Sequence, residues 1–214
     1  MKKLNILTGS LVALFATTAN AQTPVEVKLV AALDEARGWC VDLRGGAGAG
    51  EPIGGLHGHT CYTYNGNGPT NDQAFILENI ESDNEFRMVA FNDLCMTLWE
   101  PKDGSFISIE TCDDRAQQNF TFNDAGQIRA DVMPELCMTM HTETVPGGGG
   151  NPLHLMRDVM FANCDDAIAD RQTWELRSTY EGPQEITMEP PYVSNPAGAM
   201  GMGTGMGTGM GMGP

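Results

Sequence analysis

The sequence predicts an all-β fold made of three copies of one short-stranded unit, closed around a shared core. Three observations predict it. The segments Trp39-Cys40-Val41-Asp42-Leu43, Leu94-Cys95-Met96-Thr97-Leu98 and Leu136-Cys137-Met138-Thr139-Met140 begin alike, each an alternating run that reads as a β-strand. Each is followed by a turn-rich stretch and a second cysteine, Cys61, Cys112 or Cys164. About ten residues further on comes Gln-x-aromatic, as Gln73-Ala74-Phe75, Gln118-Asn119-Phe120 and Gln172-Thr173-Trp174, with glutamine spacings of 45 and 54 residues. One such unit cannot bury its apolar face alone, and no helical periodicity intervenes, so three units must meet around one core.

The elements follow in chain order. Lys2-Lys3, a short apolar stretch from Leu4 to Ala16 and the small-residue pair Ala19-x-Ala21 are the three features of a secretory signal peptide, assigned to residues 1–21. The stretch is too short and too interrupted to span a bilayer, no second apolar segment approaches that length, and no cysteine follows the cleavage site to carry a lipid. The expectation is a protein secreted or held in a periplasm. Residues 22–36 form an N-terminal segment, 37–178 the repeated domain, 179–196 a Pro/Glu-rich linker and 197–214 a tail. That tail has glycine at almost every second position, which makes ordering entropically costly, so disorder is expected there.

With 12 Lys plus Arg against 28 Asp plus Glu, the net charge is −16. Nucleic acid and anionic membrane surfaces carry the same sign, which argues against both as partners. In an exported chain an even cysteine count reads as disulfides, although six cysteines allow 15 pairings. No Cys-x-x-Cys pair and no cysteine near histidine at finger spacing favours zinc.

These motifs resemble the ricin B-chain-type lectin domain, a β-trefoil, over about 140 residues from Trp39 to Arg177. The resemblance implies one disulfide per repeat, Cys40–Cys61, Cys95–Cys112 and Cys137–Cys164, each worth roughly 3 kcal/mol when unstrained. It also implies that Phe75, Phe120 and Trp174 pack in the core, and that the protein binds a glycan or polysaccharide without catalysis. In this family a pocket uses an acid two places after the first cysteine, an aromatic two places before the second, and a polar pair ending in the glutamine. Carried over, the first repeat offers Asp42, His59, Asp72 and Gln73, with His57 on the same strand face as His59. Histidine stands where Trp, Tyr or Phe is usual, and Asp72 where Asn is usual. Repeats two and three carry Thr97 and Thr139 in place of the acid, and Glu110 and Ala162 at the platform, so sugar binding is expected in repeat one alone.

Competing chemistry is thin. His57-Gly58-His59 lacks a third metal ligand at motif spacing, so neither a metal nor a cofactor is expected. The run Gly45–Gly50 lacks the Lys-Ser/Thr of a phosphate loop. No Gly-x-Ser-x-Gly, His-Glu-x-x-His or unpaired nucleophilic cysteine suggests an enzyme. Two alternatives stay open. A trefoil of this kind can bind a protein partner, as the lectin-like subunits of cytolethal distending toxins do. The tail methionines Met200, Met202, Met206, Met210 and Met212 are soft ligands suited to Cu(I), or else spacer residues.

Overall fold

The computed structural model describes residues 22–45 and 54–178. The signal peptide, most of the Gly45–Gly50 run, the linker and the methionine tail lie outside the described residues. Among these residues the chain forms twelve strands: β1 (Pro24–Leu29), β2 (Trp39–Leu43), β3 (Leu56–Thr60), β4 (Phe75–Ile76), β5 (Leu94–Leu98), β6 (Ser105–Thr111), β7 (Phe120–Phe122), β8 (Ile128–Ala130), β9 (Met133–Met140), β10 (Val145–Pro146), β11 (Leu155–Asn163) and β12 (Trp174–Arg177). The main path of the sheet runs β12-β1-β2-β3-β11-β9-β8-β7, with β4 on β1, β5 on β6, and both β6 and β10 on β11. The antiparallel pairs β2–β3, β5–β6 and β9–β11 are the three equivalent arms of the predicted trefoil.

Each arm is closed by its own disulfide. Cys40–Cys61, Cys95–Cys112 and Cys137–Cys164 join Cα atoms 5.0, 5.1 and 5.0 Å apart, within the ordinary span of a cystine. The expected pairing is therefore the observed one. Phe75, Phe120 and Trp174 are at most 1% exposed, as the repeat pattern requires. Phe86 sits edge-on to both Phe75 and Phe120, and Phe161 stacks on Phe120, so rings from different repeats share one interior.

Two features depart from the sequence reading. Val25, Val27 and Leu29 alternate inward on β1, which pairs with β12 through Glu26↔Arg177 and Lys28↔Glu175. Both cross-strand pairs are ion pairs, at 2.6 and 2.7 Å. The sheet thus begins at Pro24, upstream of the boundary at 37. The second departure is an α-helix, the single one among the described residues, α1 (Leu77–Asp83), directly after the first Gln-x-aromatic. Its Ile80 is buried, Glu78 lies in its first turn, and Asn84 ends it in the left-handed conformation.

Candidate functional site

The site grows from one hydrogen-bond pattern that all three arms share. In repeat one, Gln73 Nε2 donates to Asp42 Oδ2 at 2.8 Å and to the Thr60 carbonyl at 3.0 Å, while its Oε1 accepts from the Tyr62 N–H at 3.1 Å. Gln118 repeats this with Thr97 Oγ1, the Thr111 carbonyl and the Asp113 N–H. Gln172 repeats it with Thr139 Oγ1, the Asn163 carbonyl and the Asp165 N–H. All three glutamines are fully buried. Each therefore locks the residue two places after the first cysteine to the backbone on either side of the second. This bracing role was not legible from the motif alone, because two of the three partners of each glutamine are main-chain groups.

Against that common frame, repeat one differs by a charge. Asp42 on β2 stands directly opposite His57 on β3, and Cys40 opposite His59. The carboxylate accepts from His57 Nε2 on Oδ1 at 3.1 Å, so both of its oxygens are engaged and it is 3% exposed. A carboxylate only accepts, which assigns the proton to Nε2 of His57. Nδ1 of that ring is buried with no hydrogen-bond partner. His59 turns its Nδ1 to the Thr60 carbonyl at 3.0 Å. Asp72 lies half-buried beside them and its carbonyl accepts from the Leu43 N–H at 2.9 Å.

Two residues the sequence did not single out complete the cluster. Tyr62 follows the second cysteine and sets its ring 5.1 Å from that of His59. His154, on the loop between β10 and β11 of repeat three, packs at 5.3 Å from His59 and 5.1 Å from Tyr62. Burial lowers the pKa of His59. It lowers that of His154 to about 4, reinforced by His59 and Arg37. The Tyr62 phenol is pushed upward by burial, then by Asp42 and Asp72. The five predicted residues Asp42, His57, His59, Asp72 and Gln73 do converge, but as a closed cluster. Among the described residues, the His, Cys, Asp and Glu side chains close enough to share a metal ion are Glu26, Cys40 and Cys61, and those two sulfurs are joined to each other.

The family model for the ricin-type beta-trefoil lectin domain matches residues 30–155, more than half of the chain. The chain belongs to the ricin-type β-trefoil lectin family. Among solved structures it is similar to the β-trefoil lectin of the Vibrio vulnificus hemolysin/cytolysin with N-acetyl-D-lactosamine bound (16% identity, TM-score 0.48, covering 79% of this chain and 100% of that one). It is also similar to the C-half of an earthworm R-type lectin in complex with GalNAc (14%, 0.47, 73% and 98%). For the agglutinin of Abrus precatorius the figures are 15%, 0.47, 74% and 48%, so the chain spans about half of that protein. No curated protein matches the chain.

As a ricin-type lectin domain, the chain carries a second feature in repeat two. A cleft of about 240 Å³ is lined by Thr97, Leu98, Trp99, Glu110, Arg115 and Gln117. Trp99 is 54% exposed and stacks on Phe106 at 5.1 Å between centroids. Glu110, at the platform position, accepts from Arg115 Nη1 at 2.7 Å and from Ser108 Oγ at 2.9 Å.

Proposed function

We propose that this lectin-family domain is an exported, non-catalytic glycan-binding protein, and that Asp42, His57, His59, Asp72 and Gln73 of repeat one form its sugar site. The observation that carries this reading is the carboxylate. The three glutamine braces are alike, yet one holds a charged acceptor and the other two hold hydroxyls. A carboxylate accepts from two adjacent sugar hydroxyls at once, and charge-assisted bonds of this kind are the strong ones. His57 gives up its bond to Asp42 Oδ1 when a hydroxyl arrives, while Gln73 keeps Oδ2 aimed. His59 and Tyr62 supply the ring faces for the C–H surface of the sugar. A single site with a handful of hydrogen bonds corresponds to a monosaccharide Kd near ~1 mM, about −4 kcal/mol.

A second reading rests on the cleft of repeat two. The exposed indole of Trp99 offers a stacking face, and Glu110, held by Arg115 and Ser108, an acceptor beside it. The two readings separate in one experiment. A glycan array identifies the sugar, and titrations compare the wild type with Asp42→Asn and Trp99→Ala. Loss of ten-fold or more in D42N supports the first repeat. Unchanged binding in D42N with loss in W99A moves the site to repeat two, and no saturable binding to any glycan ends both. Release of reducing ends from common polysaccharides would overturn the non-catalytic part.

A further inference from the structure

The cluster in repeat one is covered from repeat three, and the cover is built in an unusual way. Loop 147–154 is the turn of the β10–β11 hairpin, closed by Gly147 N–H to the His154 carbonyl at 2.7 Å and His154 N–H to the Gly149 carbonyl at 3.1 Å. Its sequence opens with four glycines, and three are required by geometry, Gly149 through its φ of +75°. Gly150 has φ +79°, and a Cβ there would lie 2.4 Å from the His154 ring. A Cβ on Gly147 would meet the His154 carbonyl at 2.9 Å and His59 Nε2 at 3.1 Å. Few groups tie the loop to repeat one. Arg37 donates to the Pro152 and Leu153 carbonyls at 2.9 and 2.8 Å, the Leu155 N–H donates to Thr60 Oγ1 at 2.8 Å, and His154 lies edge-on against His59.

We infer that loop 147–154 is a proton-released strap over the sugar site proposed above, closed while His154 and His59 are neutral and withdrawn when they take up protons. The inference rests on that site reading for its function but not for its motion. Two imidazolium ions at this spacing would repel each other beside the buried Arg37 guanidinium, and the glycines let the loop move away. The charged and titratable groups that face the pair are Asp42 and His57 on β2 and β3, Asp72 and Tyr62 near the glutamine turn, and Glu35 with Arg37 before β2. Asp34 lies on the flank, paired with Arg157 at 2.7 Å. The remaining histidine, His141, accepts from the Glu143 N–H through its Nδ1.

The sign follows from burial. Closure holds His154 at about 4 against an ordinary 6.5, and opening returns it to water, so the open form binds the proton more tightly. The opening constant is flat above the ordinary value and grows as the pH falls toward the buried one. Discounting for the half-exposed position of His154, it rises roughly ten-fold between pH 7 and pH 5.

The test is amide hydrogen exchange of Gly147, His154 and Leu155 in the full protein at both pH values, corrected for intrinsic exchange, beside a glycan array at the same two pH values. Protection is expected to fall about ten-fold at the lower pH in the wild type and in His141→Gln, and by a smaller factor in His154→Gln, where only His59 of the pair still titrates. Flat protection in the wild type, or a fall as large in H154Q as in the wild type, overturns the strap. Should H154Q fail to fold, NMR titration of the wild-type imidazoles decides. An ordinary His154 pKa in a protein whose strap stays protected overturns the inference. A protection loss with no glycan bound at either pH upholds the strap and removes the sugar reading. Glycan binding that is equal at both pH values, despite the protection loss, overturns the gating.

Discussion

The glutamine braces make a quantitative prediction about unequal costs at equivalent positions. Gln118→Leu removes three hydrogen bonds, to Thr97 Oγ1, the Thr111 carbonyl and the Asp113 N–H, from a fully buried site. At about 1 kcal/mol net per bond, the loss is about 3 kcal/mol. Gln73→Leu removes the equivalent three and also strips Asp42 Oδ2 of its donor, leaving a buried carboxylate half-satisfied. That raises its cost to roughly 4–5 kcal/mol, because a stranded charge is penalised beyond the lost bond. The assay is guanidinium unfolding near pH 7 with the disulfides intact, followed by the fluorescence of buried Trp39 and Trp174. Q73L falling within about 0.5 kcal/mol of Q118L would refute the claim that the first brace differs by a charge.

Other expectations concern the staples and acid. Replacing Cys137 and Cys164 together by alanine opens a separation of 27 residues against 17 for Cys95 and Cys112, so it should destabilise somewhat more, each by about 3–4 kcal/mol. Chemical unfolding of the two double variants checks the order, and a smaller cost for the longer loop contradicts it. Native burial lowers the pKa of His59 and His154, so the unfolded chain binds more protons below the ordinary value of 6.5. Their stabilising contribution is complete above that pH and declines as the pH falls toward about 4. The unfolding free energy should therefore fall over this window, by less in His154→Gln, and an identical profile in that variant would count against the assignment.

The threefold frame was legible because its marks are local. An apolar-Cys-apolar alternation and a Gln-x-aromatic each need only a few adjacent residues, and β2, β5 and β9 lie where those marks stand. β1 carries the same alternation in Val25, Val27 and Leu29 but no cysteine, so it fell outside a reading that counted cysteines. The helix α1 turns only Leu77 and Ile80 toward the core, too little to register as periodicity. The candidate acceptors were legible one by one. Their mutual engagement was not, since it depends on the β2–β3 register that sets Asp42 opposite His57. Tyr62 and His154 left no signal of their own. His154 reaches His59 across 95 positions of chain, through a hairpin whose direction no motif encodes.

The amide at each brace asks only for an oxygen opposite it, and a hydroxyl serves in two lobes where a carboxylate serves in the third. The brace thus forms with either kind of oxygen. A lobe can gain or surrender a recognition group at that position while its neighbours hold the architecture steady, so threefold chains of this design carry spare sockets in which new specificities can be tried.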